Sequence, residues 1–247
     1  MAEDGFDRVL WDGYAPLFAQ EEDVVFPRDH AEESFYANLR MERPGPCLEL
    51  GAGHGRLTRA LKGEHALVAL EPSESMLKLW SRSARKRALR IRGLAEEIPL
   101  VNGSFSLILF PYNGYHCILQ RELRLRALRE VGRTLKPAGR FVMETCPFLA
   151  ARPEERRALR YDRRELGGVR LVEDVYQDLE RDLVIFDMEY AYGDGRTTRL
   201  VLELARLCGE QILGEIEEAG MTVVDVWGDY DRSPWEADSP RMLILTR

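Results

Sequence analysis

A glycine-rich turn between two apolar runs constrains the fold of this chain more than any other feature. The apolar run that ends at Leu50 predicts a buried strand, and the glycines of residues 51–55 permit a tight turn that a ligand can approach closely. Arg56 stands where a dinucleotide-binding turn would place its third glycine, so the spacing disfavours NAD. A second apolar run ends at Glu71, just before Pro72, where the chain must turn. These features predict an α/β fold that holds a nucleoside at two neighbouring strand ends.

Four motifs, in this order, resemble those of class I S-adenosylmethionine-dependent methyltransferases. Residues 49–55, Glu-Leu-Gly-Ala-Gly-His-Gly, are similar to the first motif of that family. Residues 67–73, followed by Met76, resemble its second strand, whose terminal acid binds both ribose hydroxyls. Residues 93–109 resemble its adenine loop and fourth strand, and residues 135–141 resemble the turn before its fifth strand.

The resemblance implies a fold, an activity and a cofactor. The expected fold class is α/β: a Rossmann-like class I methyltransferase sheet with helices on both faces, N-terminal helices and an antiparallel β cap inserted after the fifth strand. The expected cofactor is S-adenosylmethionine, with S-adenosylhomocysteine as its product. The residues expected to bind it are Glu49, Gly51, Ala52, Gly53, Gly55, Glu71, Pro72, Met76, Ala95, Glu96 and Pro111.

Two positions depart from the family pattern. Leu94 occupies the place of the acid that usually accepts a bond from the adenine amino group, so Ala95 and Glu96 are expected to take over that role, or the cofactor is bound more weakly. After the fourth strand, Cys117 stands at the usual histidine position and His116 comes one residue earlier. A base cannot therefore be transferred to Cys117 by analogy.

The expected chemistry is an in-line displacement, which depends on holding the acceptor near the methyl group and excluding water. A neutral amine needs no base, whereas a hydroxyl benefits from one. His116, at a strand end beside the cofactor, is the candidate base, and an equal alternative is a histidine held structurally by a backbone partner. Tyr115 and Glu144 complete the predicted catalytic set, Glu144 either to neutralise an amine or to cap a loop.

Aromatic residues are predicted to line the acceptor pocket. Their ring faces favour a cationic or aromatic ligand. The predicted substrate-binding residues are Tyr14, Tyr36, Tyr112 and Asn113, and the helical positions of Tyr14 and Tyr36 leave open that these two belong to the core.

The first 148 residues predict helical material to about residue 42 and then alternating strands and helices, which is typical of a parallel sheet. Ligands bind such a sheet at the carboxyl ends of its strands. Strands are expected near 46–50, 66–70, 89–92, 105–110 and 140–146, and helices near 55–62, 74–86 and 121–135.

The pattern changes to period-two alternation after Pro147. Three antiparallel cap strands are expected at 169–176, 183–192 and 197–205, followed by a helix at 210–219 and strands at 221–227 and 241–246. The predicted organisation is a methyltransferase domain of residues 1–148 and 206–247, whose N-terminal helical segment is 1–42, with a cap or lid insertion at 149–205.

The tail, from the cap strands to residues 228–241, resembles bacterial methyltransferases that act on small molecules, including amino-sugar N-methyltransferases and glycine/sarcosine-like enzymes. The net charge of −7 disfavours binding along a nucleic-acid backbone. Two arginine-rich runs, residues 82–92 and 152–164, are interpreted as solvated helix faces. The expected function is methyl transfer to nitrogen or oxygen of a small molecule. The alternatives are a nucleic-acid (RNA) methyltransferase, a noncatalytic S-adenosylmethionine-binding protein and a dehydrogenase.

Other sequence features set the expected surroundings. No apolar stretch has transmembrane length and the acidic start lacks a signal-peptide pattern, so a cytoplasmic location without membrane partners is expected. Neither the four cysteines nor the four histidines have metal-ligand spacing, so no metal is expected. A monomer or a homodimer is equally compatible with the sequence.

Overall fold

The computed structural model describes Ala15, residues 29–147, the backbone of residues 160–166, and residues 169–247. The helices are α1 (His30–Glu42), α2 (Glu74–Lys78), α3 (Arg82–Arg87), α4 (Arg121–Thr134) and α5 (Gly209–Glu218). The strands are β1 (Cys47–Leu50), β2 (Leu67–Glu71), β3 (Leu89–Arg92), β4 (Phe105–Phe110), β5 (Leu135–Thr145), β6 (Arg160–Leu166), β7 (Val169–Asp178), β8 (Leu183–Tyr192), β9 (Thr197–Ala205), β10 (Val223–Trp227) and β11 (Met242–Thr246).

The larger sheet has seven strands in the order β10-β11-β5-β4-β1-β2-β3. The strands β1 to β5 run parallel to one another, and β11 runs antiparallel to both β5 and β10. Every residue of β1 and β2 is buried, as expected for parallel strands covered on both faces. The predicted α/β class is confirmed. The carboxyl ends of β1, β2 and β4 therefore meet at one edge.

The segment after the glycine turn differs from its prediction. No helix forms at 55–62, where the backbone makes consecutive turns with bonds such as Ala60 N to Leu57 O at 2.8 Å and Leu61 N to Leu57 O at 3.2 Å. Two side chains of this stretch bond to residues outside it: Thr58 donates to Glu49, and Arg56 donates to Glu32. The prediction of a helix at this position is wrong.

The predicted helix at 74–86 is also interrupted. The structure has the two short helices α2 and α3 in its place. Ser81 takes an extended conformation and its hydroxyl accepts from Ala84 N at 3.2 Å, so it caps α3 and ends the continuity. The helix predicted at 121–135 is confirmed by α4, and the one at 210–219 by α5.

The smaller sheet is antiparallel, in the order β6-β7-β8-β9. The three predicted cap strands are confirmed by β7, β8 and β9. The interpretation of 152–164 as a helix face is wrong for residues 160–164, which lie in β6. The strand β6 was not predicted because its charged sequence lacks the apolar alternation from which strands are recognised.

The smaller sheet lies against the carboxyl edge of the larger one. One of its apolar groups, Leu171, Met188 and Tyr190, packs with Met76 of α2. Another group of cap residues packs with Cys117 and Cys146, which follow β4 and β5. The cap thus covers the edge where the predicted ligand site lies. In the described part of the chain, no helix is both long and apolar enough to cross a membrane.

A candidate cofactor and acceptor site at the carboxyl edge of the sheet

The glycine turn after β1 combines tight packing with open space. Gly51, Gly53 and Gly55 have φ angles of 63°, 53° and 85°, in the region that glycine adopts without strain. A Cβ on Gly55 would lie 2.9 Å from the Trp80 ring, whereas a Cβ on Gly53 would meet no heavy atom within 4 Å. The backbone is therefore open at Gly53, where a ligand can approach it.

Glu71 lies beside that opening. Its carboxylate accepts hydrogen bonds from Gly53 N and Ser73 N, both at 2.8 Å. Burial raises the pKa of Glu71 to about 7, against the opposing effect of these two amides. A carboxylate has about four lone-pair positions, so this one can still accept bonds from a vicinal diol. Its geometry fits the predicted role of ribose binding.

Other predicted cofactor residues lie around the turn. Glu49 is only 1% exposed and accepts the Thr58 hydroxyl at 2.5 Å, so it stands behind the turn and not on its open side. Burial raises the pKa of Glu49 to about 7. Ala52 is buried and packs with Trp80. These residues shape the turn from within.

The predicted adenine loop is a short 3₁₀ turn at Ala95–Glu97. Its conformation is fixed from α4, where Glu130 accepts Ile98 N at 3.0 Å and Arg133 donates to Ile98 O at 2.8 Å. Ala95 packs against the main core and Glu96 is buried. The loop therefore presents a stable surface next to the ends of β2 and β3.

The segment after β4 contains a strained residue and an unsatisfied atom. Tyr112 has φ 58°, which is unusual for a bulky residue, and the residue is 43% exposed. The amide oxygen of Asn113 is buried and has no hydrogen-bond partner among the described residues. Pro111 is buried, and Gly114 lets the Phe110 ring approach, since a Cβ there would lie 2.3 Å from that ring.

The structure contradicts the prediction that His116 is a base. His116 is fully buried, its Nδ1 lies 2.9 Å from Ala205 O, and its Nε2 accepts from Cys146 N at 3.3 Å. One neutral tautomer satisfies both contacts, with the proton on Nδ1. Burial lowers the pKa of His116 to about 4. Both ring nitrogens are hydrogen-bonded to backbone groups. The alternative prediction, a histidine held structurally by a backbone partner, therefore describes His116.

Tyr115 is likewise outside the chemistry. It is fully buried and its hydroxyl donates to Glu215 of α5. The same carboxylate accepts two bonds from Arg124 of α4, at 2.8 and 2.9 Å. Tyr115 therefore joins the packing of two helices, and its predicted catalytic role is not supported.

Glu144, at the end of β5, is surrounded by donors. It accepts from the Tyr36 hydroxyl at 2.8 Å, the Tyr230 hydroxyl at 3.0 Å and Tyr112 N at 3.2 Å, and Arg241 lies 3.6 Å away. Burial and the charge of Glu32 raise the pKa of Glu144, which the bonds from Tyr36 and Tyr112 N and the charge of Arg241 oppose. Tyr36 itself is fully buried, which agrees with the alternative prediction that it belongs to the core.

The sequence prediction missed Tyr230 and Arg241. The Arg241 guanidinium lies 3.8 Å from the centre of the Tyr230 ring and also pairs with Asp229. Both lie in the tail that resembles small-molecule methyltransferases, and this resemblance was the available signal. Tyr14 lies outside the described residues.

Helix α1 is joined to both halves of the site. Glu32, 4% exposed at its side chain, forms a two-bond ion pair with Arg56 of the glycine turn. One turn further along α1, Tyr36 contacts Glu144. Arg56, which stands in place of a third glycine, thus connects α1 to the turn.

The strand order, the glycine turn and Glu71 agree with the resemblance of the motifs to methyltransferases, and comparison with known proteins supports it for part of the chain. Residues 48–143 match the family model described as a methyltransferase domain. Residues 48–143 therefore form a methyltransferase domain, as the motifs predicted, and its cofactor is S-adenosylmethionine, as in the structure of a fold neighbour that has this molecule bound.

Curated relatives match part of the chain. An uncharacterised methyltransferase of Mycobacterium tuberculosis is 37% identical over 94 residues, which are 38% of this chain and 36% of the relative. The uncharacterised protein YafE of Escherichia coli is 33% identical over 98 residues, 38% of this chain and 45% of that protein. The match thus spans less than half the length of each of these relatives.

Solved structures resemble the whole chain. The CcbJ methyltransferase of Streptomyces caelestis has a TM-score of 0.85 at 18% identity, over 98% of this chain and 99% of that one. The amino pentose methyltransferase CalS10 of Micromonospora echinaspora has a TM-score of 0.70 at 18% identity, over 95% and 96% of the two chains. At these identities the likeness shows the fold.

Proposed function

We propose that this protein is an enzyme that transfers the methyl group of S-adenosylmethionine to a nitrogen or oxygen atom of a small molecule. The observation that carries the proposal is the open backbone at Gly53, with the Glu71 carboxylate beside it, at a sheet edge covered by the cap. The proposed division into a methyltransferase domain, 1–148 and 206–247, and a cap, 149–205, follows the separation of the two sheets.

The residues at this edge fit the cofactor. Gly53 leaves the backbone open to it, Glu71 would bind the ribose hydroxyls, and Ala95 with Glu96 would contact the adenine. The bound cofactor supplies an activated methyl group on a sulfonium. The protein then has to orient the acceptor in line with that group and keep water out, which the apolar face of the cap supports.

Nitrogen is the preferred acceptor atom in this proposal. His116, the base that a hydroxyl acceptor would have used, is neutral and bonded through both ring nitrogens. A neutral amine attacks without a base, so an amine requires less of this site. Two fold neighbours, a sugar N-methyltransferase and an amino pentose methyltransferase, support the same choice.

Calorimetric titration with S-adenosylmethionine, S-adenosylhomocysteine and NADH, followed by a screen of amines and amino sugars, tests the proposal. We expect micromolar binding of the first two ligands and none of NADH, and accumulation of S-adenosylhomocysteine with at least one amine. Binding of NADH alone would contradict the proposal. Cofactor binding without turnover of any acceptor would instead support the noncatalytic alternative.

The proposed surroundings follow the sequence expectations. The acceptor is a small molecule, without a nucleic-acid or membrane partner, and the location is cytoplasmic. The acidic composition supports this, since backbone contacts to nucleic acid require clustered positive charge. Salt-dependent binding of RNA by the purified protein would contradict it.

A further inference from the structure

The contacts of Glu144 join four segments of the chain that are far apart in sequence. Its partners are Tyr36 on α1, Tyr112 after β4, Tyr230 after β10 and Arg241 before β11. The carboxylate is 2% exposed. A group so enclosed is poorly placed to neutralise an amine acceptor, because two hydroxyls, one amide and one guanidinium already serve its charge.

The bond from Tyr112 N has a particular consequence for the backbone. At φ 58° a tyrosine is in the left-handed region, which a bulky side chain occupies only when its surroundings hold it there. Glu144 Oε2 accepts the amide hydrogen of that residue at 3.2 Å. The bond therefore holds the peptide group that precedes Tyr112 with its N–H toward the end of β5, and so restricts the backbone at this residue.

The conformation of Tyr112 decides where two neighbouring groups lie. Tyr112 itself, whose ring is one of these groups, remains 43% exposed. The next residue, Asn113, carries the buried amide oxygen without a partner among the described residues. Such an atom is costly unless something donates to it, and a ligand with an N–H or O–H group is suited to do so.

We propose that Glu144 is a positioning residue: by accepting Tyr112 N–H it holds the backbone that places the Tyr112 ring and the Asn113 amide oxygen against the methyl acceptor. This inference rests on the proposed function, since it requires an acceptor at this edge. Glu144 acts through Tyr112 and does not touch the acceptor.

Amide hydrogen exchange tests the inference without knowledge of the acceptor. In Glu144→Gln and Glu144→Ala, we expect exchange at the Tyr112 amide to be at least tenfold faster than in the wild type. Tyr230→Phe is the matched control, because it removes one donor to the same carboxylate and leaves the Tyr112 bond in place; exchange there should change less than threefold. Unchanged exchange in a Glu144→Ala protein that unfolds cooperatively would overturn the proposal.

Kinetics with an amine found by the screen separate positioning from general stability. Glu144→Gln should raise the KM of the amine about tenfold and leave the KM of S-adenosylmethionine within twofold. Equal changes in both constants would overturn the proposal.

A double-mutant cycle with Tyr112→Gly tests the route through the backbone. Glycine adopts a positive φ without help, so Glu144→Gln should have less than a twofold further effect on the KM of the amine in that background. Fully additive effects would overturn the proposal. If the wild-type protein binds no S-adenosylhomocysteine, the proposed function fails before any substitution is made. The proposal that Glu144 positions Tyr112 and Asn113 against a methyl acceptor then fails with it.

Discussion

The two halves of the candidate site are built over very different distances in sequence. On the cofactor side, Gly53 and Glu71 are 18 residues apart and are joined by the adjacent parallel strands β1 and β2. On the acceptor side, Glu144 meets Tyr36 across 108 residues and Tyr230 across 86. The cofactor half is one local strand-turn-strand unit, whereas the acceptor half exists only when the whole chain has folded.

The largest expected effect is on the cofactor half. Gly53→Asp should weaken S-adenosylhomocysteine binding at least about a hundredfold, or about 3 kcal/mol, because the side chain would fill the open approach at φ 53° and bring a carboxylate toward Glu71. Calorimetry measures the loss. Gly103→Asp is the matched control, since Gly103 has φ 61° and equally open space in the turn before β4. If both variants bind alike, the turn is not the cofactor site.

The local half was also the half that the sequence predicted. Glycine positions, the acid after the second strand and the strands themselves follow from apolar runs and turn residues over short distances. The failure within this half is the stretch after Gly55, where Arg56 and Thr58 bond to Glu32 and Glu49 and no helix forms. Helix propensity takes no account of such side-chain contacts, and the one between Arg56 and Glu32 spans 24 residues.

The second effect concerns the connection between the cap and the larger sheet. His116 has its pKa lowered to about 4 from 6.5, so the unfolded chain takes up its proton before the folded protein does. Its contribution to stability is complete above pH 6.5 and is lost as the pH falls toward 4. Between pH 7.5 and 5 the free energy of unfolding should fall by about 2 kcal/mol from this residue.

Urea unfolding at the two pH values measures this loss. His116→Asn should remove most of the pH dependence that the histidine causes. His30→Asn serves as the control, because the side chain of His30 is 84% exposed. An identical pH dependence in the wild type and in His116→Asn would show that the histidine is not held neutral.

The third effect returns to the cofactor. Glu71, with its pKa raised to about 7, must be ionised to accept both ribose hydroxyls, so affinity should increase as the pH rises through 7. Between pH 6 and 8 we expect about a tenfold gain in S-adenosylhomocysteine affinity, by the increase in the ionised fraction. Calorimetry should show this gain in the wild type and in Glu49→Gln, and not in Glu71→Gln. A flat profile in the wild type would mean that Glu71 is already ionised at pH 6 or does not bind the ribose.

The acceptor half was predicted only in part, for a physical reason. Tyr36 and Glu144 were recognised as residues of interest, but their partnership depends on where α1 lies on the sheet, which no spacing in the sequence encodes. His116 was predicted to be a base because it follows a strand end, but its ring is hydrogen-bonded to the cap backbone at Ala205. Tyr230 and Arg241 were left without a role because their importance comes from a carboxylate 86 and 97 residues away.

The smallest effect compares two tyrosines that donate to the same carboxylate. Tyr36→Phe should lower the free energy of unfolding by about 1.5 kcal/mol, since it removes a fully buried hydroxyl bond of 2.8 Å to a charged group. Tyr230→Phe should cost less, about 0.5 kcal/mol, because its bond is 3.0 Å long and Arg241 lies near the same carboxylate oxygen. Urea unfolding of both variants checks the order. If Tyr230→Phe is the more costly, the residue after β10 stabilises the contacts of Glu144 more than Tyr36 of α1 does. The tail of the chain, and not α1, would then organise the acceptor half.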